Sequence, residues 1–111
     1  MPRQHERISI SLEVVLELSS GKREARVSDL SRGGCFVDTI IEVPKGELIL
    51  FRLKMDGDWV ELSGNVTYCF TGMGFGVEFA LPLTDYQRLH LYREIHAHGG
   101  KLSGYVDPVY K

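Results

Sequence analysis

Ile8-Ser9-Ile10-Ser11-Leu12-Glu13-Val14-Val15-Leu16-Glu17-Leu18 is the stretch whose reading decides the fold. Ile8, Ile10, Leu12, Val14, Leu16 and Leu18 share one parity, and Ser9, Ser11, Glu13 and Glu17 share the other. Successive side chains of a strand point to opposite faces, so this alternation specifies a strand with one buried face. Val15 is the only apolar residue on the polar side.

Working outward, Ser19-Ser20-Gly21-Lys22 reads as a turn, and Ala25 with Val27 continues a second strand. Cys35-Phe36-Val37 is a third short apolar stretch, and Pro44 and Gly46 mark a loop. Leu48 to Met55 is apolar and β-prone, and Asp56-Gly57 is a hairpin turn signal. Its partner strand runs from about Trp59 to Phe70, with Val60, Leu62, Gly64, Val66 and Tyr68 on one parity. Gly72 and Gly74 precede a sixth strand carrying Phe75, Val77 and Phe79. Only then does the period change. Thr84-Asp85-Tyr86-Gln87 has the form of a capping box, and Leu89, Tyr92, Ile95 and His96 follow on one helical face. Gly99-Gly100 ends that helix.

Six strands followed by one helix predict a mainly all-β fold: a six-stranded antiparallel β-barrel with a C-terminal α-helix on or across one opening. The expected organisation is an N-terminal arm over residues 1–7, the barrel and helix over 8–98, and a loose tail over 99–111. A chain of 111 residues, 43% hydrophobic and 25% charged, is one folded domain rather than two or a disordered segment. The net charge of −2 disfavours broad binding to nucleic acid or insertion at an anionic membrane. Any anion recognised must therefore meet a local cluster of arginines. Cys35 and Cys69 fit no zinc or redox spacing and read as free thiols of a reducing compartment. Met1 to Arg7 lacks the apolar core of a signal peptide, and no apolar run has membrane-helix length, so a cytoplasmic location is expected.

Two short motifs carry the chemistry. Arg3-Gln4-His5-Glu6-Arg7 places two arginines four apart just before the first strand. Asp29-Leu30-Ser31-Arg32-Gly33-Gly34 lies at the junction of the second and third strands. In this order, one hairpin apart, they resemble the paired signature of PilZ domains, RxxxR followed by D/N-x-S-x-x-G. Gly64-Asn65-Val66-Thr67-Tyr68 and Gly74-Phe75-Gly76-Val77-Glu78-Phe79 are similar to that family's last two strands, and the resemblance covers about residues 3 to 97. It implies a bacterial receptor for the second messenger cyclic di-GMP, with no catalytic activity, no cofactor and no metal. Cyclic di-GMP presents two phosphodiester anions and two guanines, and a planar arginine fork pairs with either a phosphate or guanine O6/N7.

By that resemblance Arg3 and Arg7 take the phosphate or guanine contacts, and Asp29 accepts from guanine N1–H and N2–H₂. Ser31 either donates to a phosphate or caps the local turn. Gly34 either supplies a backbone conformation closed to other residues or lets ligand approach. Arg32 and Gly33, inside the motif, are further candidate contacts. Tyr68 occupies a position where the family carries an aromatic able to stack on guanine, yet its parity with Leu62 and Val66 assigns it to the core. Pro2 stands where many members carry a second adjacent arginine, which bears on whether one nucleotide or two are held.

Other features have ordinary readings. His90, His96 and His98 lack the i, i+4 spacing of a helical metal site. Gly72-Met73-Gly74-Phe75-Gly76 leads into a strand, not the helix N-terminus that a phosphate-binding glycine loop requires. Trp59 is expected in the core or at the rim. No nucleophile–base pair is evident. The competing functions are a PilZ-like barrel that binds no nucleotide and serves as a protein-interaction module, and an oligonucleotide-binding barrel. The downstream protein partner is unidentified, and homodimerisation through a sheet edge or the C-terminal helix is compatible with the sequence.

Overall fold

The computed structural model describes residues 7–99. The expected arm and tail fall on residues 1–6 and 100–111, outside the described residues. Six strands, β1 (Ile8–Leu18), β2 (Gly21–Leu30), β3 (Gly34–Asp38), β4 (Leu48–Met55), β5 (Asp58–Phe70) and β6 (Gly74–Phe79), precede one helix, α1 (Asp85–Ala97). The strands are antiparallel and close into a barrel in the order β1-β2-β3-β6-β5-β4. Closure is made by β1, which pairs with β2 along its length and with β4 from Val14–Leu53 to Glu17–Leu50.

The alternation in β1 acts as its sequence predicts. Val14 and Leu16 are buried inside the barrel, while Ser9, Ser11 and Glu13 face outward. Leu53, Met55, Val60, Phe51 and Phe75 fill the interior with them. Gly34 is required by packing between strands: a Cβ there would lie 2.1 Å from the Val77 carbonyl oxygen of β6. Its φ is not left-handed, so the backbone-conformation reading of this glycine is replaced by close strand approach.

At one end of the barrel lie the start of β1, the β2–β3 turn, the β4–β5 hairpin and the end of β6. The helix covers this end. Thr84 caps it as expected: its hydroxyl accepts from Gln87 N at 3.1 Å and Gln87 Oε1 accepts from Thr84 N at 2.8 Å. Gln87 Nε2 also donates to the Glu61 carbonyl of β5 at 2.8 Å. His90 brings its ring nitrogens to the Tyr86 carbonyl at 3.0 Å and the Asp58 carboxylate at 3.2 Å.

The buried helical positions are Leu91 and Ile95. The face expected from the sequence, Leu89, Tyr92, Ile95 and His96, is thus corrected: Leu89 and Tyr92 are half-buried and His96 is exposed. A helix laid across a narrow opening buries one i, i+4 pair rather than a broad stripe. Trp59 is a rim aromatic, 43% exposed, with Lys54 Nζ 5.7 Å from its ring centroid.

Gly34→Ala is expected to lose about 2 kcal/mol or more of stability, measured by urea unfolding, because backbone must move to admit the methyl. Glu94, on the flank of α1 beside the hairpin, has its carboxyl pKa raised by burial and by Asp56, against lowering by His98, the Asp56 backbone and His90. A carboxyl raised by folding gives its full stability below its unfolded pKa and loses it as pH rises through the folded value. Glu94→Gln is therefore expected to raise the unfolding midpoint at pH 8, with the gain shrinking as pH falls and the native carboxyl takes up its proton.

Candidate functional site

A small barrel filled by its own side chains has no room inside for a ligand, so a site must be built on its outer face. Two bulges do this. The β2–β3 register shifts between Val27 and Asp29, and the β5–β6 register shifts between Val66 and Tyr68. Each bulge inserts a residue and re-aims the side chains that follow. Val27 and Leu30 therefore both point into the core, with Asp29 outside. Beyond the second bulge Cys69 turns toward the core while Tyr68 and Phe70 face outward.

This reverses the parity argument for Tyr68. Counted unbroken from Leu62 and Val66 it belongs in the core; the bulge places it on the outer face. A row then runs across four strands, with Asp29 opposite Phe36, Phe36 opposite Gly76, and Gly76 opposite Tyr68. The glycines make the row possible. A Cβ on Gly76 would lie 2.4 Å from the Tyr68 ring, and one on Gly74 would lie 2.8 Å from the Phe36 ring. The aromatic side chains thus lie down across bare backbone. Phe36 and Tyr68 are nearly parallel with centroids 6.0 Å apart, and Tyr68 and Phe70 are tilted at 5.1 Å. Phe70 is 54% exposed.

Arg7 stands at the edge of this aromatic surface. Its Nη1 donates to both carboxylate oxygens of Asp29 at 3.3 Å. Each side chain keeps 30% of its surface, so the pair adds at most about 1 kcal/mol to stability. Burial pulls the Arg7 pKa down, but Tyr68 and the Asp29 carboxylate outweigh it and the net shift is upward. Arg7 therefore remains a cation at the aromatic edge. Beneath, the Cys35 thiol is pushed up to about 12, first by burial and then by Asp29, which makes it unreactive.

Ser31 is buried, and its hydroxyl is fully used within the turn. It accepts from Gly33 N at 3.2 Å and Gly34 N at 3.1 Å and donates to the Gly34 carbonyl at 3.3 Å. A hydroxyl has one donor and two acceptor positions. The cap, one of the two sequence readings, is formed. Gly33 also accepts from Phe79 N at 2.9 Å, tying the turn to β6. Arg32 turns away toward α1: Nη2 donates to the Tyr92 hydroxyl at 3.4 Å, and the guanidinium lies 5.1 Å from that ring's centroid. Arg32 Nε is buried with no hydrogen-bond partner among the described residues. Arg3 lies outside the described residues.

The structure thus brings Arg7, Asp29 and Tyr68 together on one outer face and gives Ser31, Gly33 and Gly34 to the adjoining turn. Sequence reading missed Phe36 and Phe70, which it counted as ordinary strand residues. The signal for them is Gly74-Phe75-Gly76, where the two outward positions of β6 beside the rings are bare and Glu78 is the next outward side chain. Ser31→Ala is expected to cost about 1–3 kcal/mol in urea unfolding, since the Gly33 and Gly34 amides lose their acceptor.

Comparison with known proteins places this geometry. The PilZ domain model matches residues 2–97. The fold is similar to the Inhibitor of motility MotI/DgrA of Bacillus subtilis, with TM-score 0.69 and 16% identity over 87% of this chain and 51% of that one. It is similar to YcgR from Escherichia coli in complex with c-di-GMP, with TM-score 0.72 and 18% identity over 86% of this chain and 45% of that one. The PilZ domain of CeSA from a cellulose synthesizing bacterium gives TM-score 0.64 and 19% identity over 83% and 96%. The chain spans about half the length of the first two and nearly all of the third. Curated protein sequences gave no match. With the family model covering the barrel, the helix and both motifs, the chain belongs to the PilZ domain family.

Proposed function

We propose that this chain is a cyclic di-GMP receptor domain that acts as a bacterial signalling effector rather than an enzyme. The observation that carries the reading is the pairing of Arg7 with Asp29 at the edge of an aromatic surface on the outer barrel face. These groups match the ligand's chemistry. A guanine has a flat face for Tyr68 and Phe36, acceptors at O6 and N7 for an arginine, and N–H donors for a carboxylate. The phosphodiesters supply anions for Arg7 and for Arg3, which the resemblance adds from the N-terminal arm. Proteins of similar fold hold this ligand: YcgR of Escherichia coli and PlzA of Borreliella burgdorferi are each in complex with c-di-GMP.

In the free protein Arg7 and Asp29 satisfy one another. Ligand binding exchanges that exposed pair for contacts to guanine and phosphate, so little is lost in opening it. Residues 1–7 form an arm closing over the face that holds Asp29, residues 8–98 are the receptor body, and 99–111 a tail beyond it. Closure alters the surface offered to a protein partner. Among the described residues no helix is long and apolar enough to cross a membrane, and the proposed location is the cytoplasm.

Isothermal titration with cyclic di-GMP, with GTP as control, is expected to show saturable binding specific to the cyclic dinucleotide, with the stoichiometry deciding between one molecule and two. Arg3→Ala and Arg7→Ala should each weaken it by about tenfold or more, the loss of one bidentate contact. At about a hundred times the dissociation constant the ligand should stabilise the fold by about 2.7 kcal/mol. Absence of heat together with an unchanged melting temperature would overturn the reading in favour of a nucleotide-independent interaction module.

A further inference from the structure

Three stripes run along α1. With about 100° between successive residues, Gln87, His90 and Glu94 share one flank, Leu91 and Ile95 share the next, and Tyr92 lies on the far side from the first. The first flank is held to β5 and to the β4–β5 hairpin by Gln87 on the Glu61 carbonyl and His90 on Asp58. The middle stripe is buried in the barrel end. The far flank meets the β2–β3 turn through Arg32 and Tyr92.

That last contact differs from the others in quality. The Arg32–Tyr92 hydrogen bond is long at 3.4 Å, and the stacking distance of 5.1 Å supplies a cation–π attraction in its place. Arg32 Nε, already out of water, meets no acceptor among the described residues. Arg32 is therefore seated on the helix with part of its donor set unused. It is also carried by a turn that the Ser31 hydroxyl makes rigid, three residues from Asp29. Asp29 and Arg32 are thus linked through one short hydrogen-bonded turn.

We propose that Arg32 couples the nucleotide site to α1, leaving Tyr92 for a phosphodiester oxygen when cyclic di-GMP binds and so freeing the far flank of the helix. This rests on the receptor reading given above. A phosphodiester offers the anionic acceptor that Tyr92 does not, and the guanidinium gains a charge-assisted bond in exchange for a long neutral one. The helix then keeps its hairpin anchors and its buried pair but loses the Arg32 contact with the β2–β3 turn. The device converts occupancy of the outer face into a change in the order of the C-terminal helix.

Hydrogen exchange of the α1 amides tests this in the full chain, with and without saturating cyclic di-GMP, and titration calorimetry confirms occupancy in each sample. Without ligand, Arg32→Ala should speed exchange in α1 by about threefold to tenfold, the size of one cation–π contact, and leave the strands unchanged. Tyr92→Phe, which keeps the ring and its packing, should give a smaller rise. Cyclic di-GMP should produce a comparable rise in the wild type and no further rise in Arg32→Ala. Equal α1 exchange in the free wild type and free Arg32→Ala overturns the contact as a latch. Bound nucleotide with α1 exchange unchanged overturns the coupling alone. A wild type that takes up no cyclic di-GMP removes the receptor reading and the coupling together.

Discussion

Closure of the hydrogen-bond ladder is the constraint from which the rest of this molecule follows. An open six-stranded sheet leaves two rows of unpaired amides and carbonyls. Here β1 meets both β2 and β4, the latter from Val14–Leu53 to Glu17–Leu50, and the ring closes. A ring of six strands encloses a volume that Leu16, Phe51, Leu53, Met55 and Phe75 fill completely. With the inside occupied and the strands of the described residues closed into a ring, the outer surface of the strands and the two barrel ends are what remain for recognition. The helix takes one end. The face of β2, β3, β6 and β5 carries the aromatic rings of Phe36, Tyr68 and Phe70.

An outer strand face is ordinarily a poor binding surface, since every second side chain stands up from it. Glycines at 74 and 76 remove that obstacle and let Phe36 and Tyr68 recline. Bulges before Asp29 and Tyr68 change which residues belong to the face at all. The two devices act together: one clears the floor and the other supplies the walls. Arg7, entering β1 at the same end, brings the charge.

Much of the fold was legible because its signals are local. The alternation in Ile8–Leu18, the Asp56-Gly57 turn and the Thr84–Gln87 capping box each depend on residues within a few positions, and each formed as read. The misreadings share a cause. Tyr68 and the helix face were judged by extending a regular period, and the period breaks where a bulge is inserted or where the partner surface is narrower than a full helical stripe. A bulge is decided by the pairing of two strands, so no single stretch of sequence displays it. Phe36 was unreadable for the same reason: Gly74 and Gly76, the residues across the sheet that leave room for its ring and that of Tyr68 to lie down, are far away in the chain. The motif residues were found by resemblance, and it took the structure to divide them between the outer face and the turn.

That division gives the signature two separable meanings. The Ser31 hydroxyl has every hydrogen-bonding position occupied by Gly33 and Gly34, and Gly34 is set by the carbonyl of Val77. Those residues are a record of how the second and third strands join. Arg7 and Asp29, exposed and holding one another loosely, contribute little to the joining. A sequence that kept the serine and glycine but lost the arginine would retain the same barrel, and under the receptor reading proposed above it would lose one contact to the messenger. In chains of this architecture the serine and glycine are thus bound to the joining of two strands, whereas Arg7 and Asp29 can change without unmaking the barrel.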